Sequence, residues 1–70
     1  MTTLYQIKKT VAGKSTVEGT PKVLDKAQAD LAAIASYMQR QGAQIVLSSP
    51  DSFTMVLARI VSRYSIVPTT

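Results

Sequence analysis

Apolar and polar positions alternate from Leu4 to Val11: Tyr5, Ile7 and Val11 share one face, interrupted by Lys9, while Leu4, Gln6, Lys8 and Thr10 share the other. A period of two is the signature of a strand with two differently solvated faces. Ala12-Gly13-Lys14 supplies a turn, because Gly13 takes a positive φ without steric cost. Thr16, Val17, Thr20 and Val23 mark a second, weaker strand over 15–23. Gly19 and Pro21 within it suit only an edge or bulged strand. The two runs together predict a β-hairpin.

The period then changes. Ala27, Leu31, Ile34, Ala35 and Met38 recur at helical spacing and form one apolar stripe over 26–41. Asp25 is placed to cap this helix, with Gln28 three residues on. Gly42 sits where a helix ends in a left-handed residue. The other side carries Lys26, Asp30, Ala33, Tyr37 and Arg40, with Lys26 and Asp30 spaced for an i,i+4 pair.

Residues 43–48 read as a strand, and Ser49-Pro50-Asp51-Ser52 as a turn with proline at a central position. From Phe53 onward two periods compete. Phe53, Val56, Leu57, Ile60, Val61 and Tyr64 fit a helical stripe that Ser49-Pro50 could start. Enrichment in Thr, Val and Ile and the short preceding turn favour a strand, which is the reading adopted. Such a strand outruns the usual ~3–10 residues, so a bend near Ser62 is expected, with Pro68 ending the ordered part. The predicted fold is α+β: a four-stranded antiparallel sheet with one helix packed on one face, in the order β-β-α-β-β, over a single domain 1–70. The helical alternative would give β-β-α-β-α.

Length and composition narrow the chemistry. A chain of 70 residues buries only about 60% of its unfolded surface and has a thin core. It contains no cysteine and no histidine, which excludes disulfides and the usual zinc ligands, so no metal or cofactor is expected. The opening residues show no basic-then-apolar leader, and no apolar run approaches the ~18 residues of a membrane span. A cytoplasmic protein without a membrane partner is the expectation. The four carboxylates, Glu18, Asp25, Asp30 and Asp51, fall on predicted strand, cap, helix surface and turn, with no spacing that pairs two of them for acid–base work. Gly13-Lys14-Ser15 has the ending of a phosphate-binding loop but lacks the leading glycine and the strand–loop–helix setting. An enzyme is not expected.

Eight Lys and Arg against four Asp and Glu give a net charge of +4, which favours anionic partners. Lys8, Lys9, Lys14 and Lys22 lie on the first hairpin, Arg59 and Arg63 on the last strand, and Arg40 at the helix end. If the hairpin and the last strand share the face away from the helix, Lys8, Arg59 and Arg63 form one patch. Tyr5 or Tyr64 could accompany it, a combination that nucleic-acid-binding sheets use. Equally, the lysines could be solvated groups that discourage edge pairing, and Arg40 could simply complement the helix dipole. Tyr37 projects away from the apolar stripe beside Arg40, and tyrosine and arginine are enriched at protein–protein hot spots; the alternative is a tyrosine half-buried against the sheet edge. The candidate partner-binding residues are therefore Lys8, Lys9, Lys14, Tyr37, Arg40, Arg59 and Arg63.

A single long last strand would place Phe53, Met55, Leu57 and Val61 on one face, broken by Arg59, and Thr54, Val56, Ala58 and Ile60 on the other. One helix covers only one face. Phe53, Met55, Leu57 and Val61 are accordingly expected to form a homodimer interface or to dock on a host protein.

The opening strand Tyr5-Gln6-Ile7-Lys8-Lys9, Glu18-Gly19-Thr20 on the second strand and the alanine-rich helix from Asp25 to Gln41, closed by Gly42 before a strand hairpin, give a layout that resembles small phage and mobile-element proteins that inhibit host machinery, among them a family of type I-F anti-CRISPR proteins. The resemblance spans most of the chain as a pattern. It implies a non-enzymatic protein that inhibits or modulates a host protein or nucleoprotein complex by occupying one of its surfaces, with contact at Lys8, Lys9 and Lys14. A basic chain is a poor mimic of DNA. The competing expectation, from charge alone, is a small basic nucleic-acid-binding module.

Overall fold

The first alternating run forms β1 (Leu4–Val11), which turns back through Ala12 and Gly13 into β2 (Lys14–Lys22). Both turn residues have positive φ, 52° and 79°, the geometry of a two-residue turn whose twist matches that of the strands. A computed structural model describes residues 3–69 of the chain. β2 is an edge strand, and its register against β1 slips between the Tyr5–Lys22 and Ile7–Glu18 pairs, around Gly19 at φ 80°. The predicted bulged edge is thus present.

The helix α1 (Leu24–Arg40) begins two residues earlier than its stripe suggested. Its N-cap is Val23, which makes no side-chain cap; Asp25 instead lies in the first turn, its Oδ1 accepting a hydrogen bond from the Lys26 amide at 2.9 Å. A carboxylate there meets the positive end of the helix dipole without capping it. The C-terminus closes as predicted around Gly42, at φ 99°: Gly42 N–H donates to the Gln39 carbonyl at 3.1 Å and Ala43 N–H to the Met38 carbonyl at 3.0 Å. These two bonds make a Schellman closure. Lys26 does not pair with Asp30; Lys22, at the end of β2, forms the ion pair with Asp30.

Three strands follow. β3 (Gln44–Ser49) turns through Pro50 and Asp51 into β4 (Ser52–Leu57), and β4 turns through Ala58 and Arg59 into β5 (Ile60–Thr69). The region from Phe53 onward is therefore strand, as adopted, but it is two strands rather than one. Ala58 and Arg59 have φ of 51° and 66°, so the reversal is a second two-residue turn of the same kind as the first. The sheet has five strands in place of the expected four, and the break falls at 58–59 rather than near Ser62. Pro68 lies inside β5, opposite Tyr5, where β5 has run past its last β4 partner. An edge position tolerates a residue without an N–H.

The strand order is β2-β1-β5-β4-β3, antiparallel throughout. The first and last strands are neighbours inside the sheet, and α1 crosses one face on its way from one edge strand to the other. The core lies beneath it: Ile7, Leu31, Ala43, Phe53, Met55 and Tyr64 are buried, with Ile34, Ala35, Met38, Ile45, Leu57 and Ile66 packed around them. Phe53 and Met55 are only 2% and 3% exposed. The expected interface residues Phe53, Met55 and Leu57 are thus core or core-flanking residues under the helix. Val61 does not join them: the turn at 58–59 shifts the alternation, and Val61 pairs with Val56 on the opposite face, 56% exposed. The four residues do not form one apolar interface, because the helix already covers three of them.

Candidate functional site

Cross-strand partners project to the same face of a sheet, so the register assigns every strand residue to the helix side or to the open side. Ile7 pairs with Ile66, Lys9 with Tyr64, and Tyr64 with Phe53, which defines the helix side. The open side carries Lys8 opposite Ser65, Thr10 opposite Arg63, Arg63 opposite Thr54, and Thr54 opposite Leu47. Lys8 and Arg63 are diagonal neighbours across β1 and β5, within reach of one another's ligands. Arg59 stands on the adjoining turn. Of the expected group, Lys8 and Arg63 share the open side by register, and Arg59 meets Arg63, but not Lys8, in a basin at the turn end of the sheet.

The other candidates lie elsewhere. Lys9 is on the helix side, its ammonium 5.7 Å from the centre of the Tyr64 ring, a cation–π contact. Lys14 pairs with Val11 and so shares the helix-side phase at the start of β2. Tyr37 and Arg40 are exposed on α1, with Tyr37 at 55%, not half-buried against the sheet edge. They occupy the opposite layer from Lys8 and Arg63. Contact through Lys8, Lys9 and Lys14 together is thus not a single surface; only Lys8 of the three faces the open side.

The open side also holds an apolar quarter that the sequence reading did not include. The β3–β4 register shifts between Ile45 and Leu47, a bulge that breaks the alternation at Val46. Val46 and Leu47 are left 49% and 69% exposed. Val61 and the partly buried Val56 pair beside them. The signal in the chain was the run Ile45-Val46-Leu47: three consecutive large apolar residues cannot all follow a period of two.

Charge is divided between the two sides. Glu18 pairs with Ile7 and lines a hollow with Asp30 and Ile34, which puts it on the helix side. Asp25 and Asp30 belong to α1 itself. Asp51, in the β3–β4 turn, accepts a hydrogen bond from Gln28 Nε2 of α1 at 2.9 Å. All four carboxylates of the chain therefore lie on the helix side or at its rim, and the strand faces opposite contain Lys8 and Arg63 with no acidic residue. Hydroxyl groups stand among them at Thr10, Ser15, Ser52, Thr54 and Ser65, with Thr10 Oγ1 and Ser15 Oγ 2.9 Å apart, and Val17 lies opposite Lys8.

Aromatic residues are absent from this side. Phe53 and Tyr64 are buried in the core, Tyr5 shares the Ile7 phase on the helix side, and Tyr37 is on α1. The anticipated partnership of Tyr5 or Tyr64 with the basic patch does not form, because the parity of both strands turns those rings toward the helix. Gly13-Lys14-Ser15 runs from a hairpin turn into β2 rather than from a strand into a helix, so it makes no phosphate loop. Among the described residues, no three His, Cys, Asp or Glu gather into a metal-holding group, and no helix is long and apolar enough to cross a membrane.

No family model, curated protein or solved structure matches the chain.

Proposed function

We propose that this chain is a non-enzymatic binding protein that docks on an acidic surface of a partner protein complex through the open side of its sheet. The observation that carries this reading is the separation of charge: every side-chain carboxylate lies on the helix side or its rim, while Lys8 and Arg63 face an otherwise neutral surface, with Arg59 on the turn beyond Arg63. A surface of one sign steers an oppositely charged partner and rejects like-charged ones. Val46, Leu47 and Val61 add apolar area that a protein surface can cover and a phosphate backbone cannot. The missing aromatic groups remove the stacking platform that single-stranded nucleic acids use.

The same feature disfavours a homodimer formed face to face. Such an interface is self-complementary, and a face with cations and no carboxylates offers no ion pair to its own copy. Inhibition or modulation of a host complex, which the resemblance to phage-encoded inhibitors implies, is the role proposed for this docking.

Photo-reactive residues placed at Leu47 and Val61, with Ser36 on α1 as control, test the reading in nuclease-treated host lysate. Protein adducts from the two sheet positions and none from Ser36 are expected. Adducts from Ser36 alone would overturn the reading. Adducts that form in untreated lysate but not in the nuclease-treated one would move the protein to the nucleic-acid-binding class.

A further inference from the structure

β1 and β5 are neighbours, so the Ala12-Gly13 and Ala58-Arg59 turns stand side by side at one end of the sheet. Between them is a shallow basin lined by Thr10, Gly13, Arg59, Ile60, Val61 and Arg63. It holds two guanidinium groups and no carboxylate. Neither arginine is in an ion pair among the described residues.

The two turns are the same in kind but not in sequence. In each, both residues have positive φ. The first turn places glycine second, at Gly13, the residue for which that conformation is free of strain. The second turn places Arg59 there, at φ 66°. A long side chain held in a left-handed conformation opposes folding at a position where glycine would not. The position sets the arginine at the mouth of a basin that already contains Arg63.

We infer that Arg59 and Arg63 form an oxyanion clamp at this corner, receiving a carboxylate from an acidic, apolar-flanked segment of the protein partner. The inference rests on the open side being the docking surface and names the anchor within it. Guanidinium groups bind carboxylates through paired, charge-assisted hydrogen bonds, which fix the orientation of a partner as well as its charge. Val61, 56% exposed and on the same side as Arg63, suits an apolar neighbour of the bound carboxylate. Two cations in a pocket match one such group; a nucleic-acid backbone would call for a row of them along a groove.

The test uses the whole 70-residue chain, labelled for NMR, and a synthetic eight-residue peptide of alternating leucine and glutamate. Saturable shifts of the Arg59 and Arg63 side-chain N–H signals and of the Thr10 amide are expected, with binding at least about tenfold weaker when glutamine replaces glutamate. Arg59→Gly separates function from fold: it should raise the melting midpoint by about 3 °C or more while weakening the peptide about fivefold or more. Equal binding by Arg59→Gly, a lowered midpoint, or no shift at the two arginines would overturn the clamp. Shifts confined to Leu47, Thr54 and Val56 would remove the clamp but leave the docking surface standing. Tighter binding of a 12-base-pair DNA duplex at the same corner would assign it to phosphate and overturn the inference.

Discussion

Phe53 on β4 and Tyr64 on β5 are directly paired across the sheet with their rings stacked, centroids 4.9 Å apart and planes 13° from parallel. Both are 2% exposed beneath α1, with Leu31 against the same cluster. Tyr64 and Leu31 are the largest fully buried side chains, so the pair sits at the centre of a small core.

Removing either ring should come close to unfolding the chain. Phe53→Ala is expected to cost about 3–5 kcal/mol, most of what a domain this size has. A double-mutant cycle with Tyr64→Leu and Phe53→Leu should return a coupling of roughly 0.5–1.5 kcal/mol. Urea denaturation followed by circular dichroism reads both quantities, and a coupling near zero would mean the stacked geometry contributes nothing beyond area.

The second turn leaves stability unclaimed. Ala58 occupies a left-handed conformation at φ 51° without the side chain that favours it. Asparagine tolerates that region well, so Ala58→Asn should stabilise by about 0.5–1 kcal/mol and raise the melting midpoint by roughly 2–8 °C. An unchanged urea m-value would show that the gain belongs to the folded turn.

At the helix end the opposite substitution is harmful for a backbone reason alone. A methyl group built on Gly42 meets nothing closer than Leu57 Cδ1 at 4.0 Å, so space is not the constraint. The φ of 99° is, and Gly42→Ala should cost about 1–2 kcal/mol by opposing the two closing hydrogen bonds to Gln39 and Met38. Amide exchange at Gly42 and Ala43 should accelerate before that of the central helix.

Two aspartates placed four residues apart should behave differently. Leu57 packs against the core on the helix side, so Leu57→Asp buries a charge and is expected to destabilise the monomer by about 2 kcal/mol or more. Val61 faces solvent on the open side, and Val61→Asp should stay within about 0.5 kcal/mol of the parent. Chemical denaturation of the two variants, with sedimentation to follow mass, checks this. An unchanged midpoint for Leu57→Asp would mean the helix does not cover that side chain.

The helix and the first hairpin were legible because their signals are local. The Ala27–Met38 stripe, Gly42 and Gly13 each carry their own steric or periodic reason. The second reversal was not legible, since Ala58-Arg59 contains no glycine, asparagine or proline to mark it. Missing that turn also misassigned the faces: a two-residue turn makes Leu57 and Ile60 partners, so the side facing the helix changes from odd to even positions, and Val61 leaves the side of Phe53. The pairing of Lys8 with Arg63 does not depend on the break, because Lys8 lies on β1 and the turn itself carries Arg63 from the phase of Phe53 and Met55 to the open side, opposite Thr54. The apolar quarter around Leu47 follows from a bulge, marked in the chain only by the break in alternation at Ile45-Val46-Leu47, which does not say which side the extra residue takes.

The neighbouring placement of β1 and β5 has a mechanical consequence. Leu4 and Thr69 are paired at one end of that ladder, and Val11 and Ser62 at the other. Tension applied at Leu4 and Thr69 therefore falls on one pair of residues at a time and peels the seam open like a zip, instead of loading every bond of the ladder together in shear. Once peeled, the chain divides into a β1–β2 hairpin and a β3–β4–β5 meander joined only through α1. Held by those two residues in a force spectrometer, the protein should yield at low force in small steps, from the end farthest from Arg59.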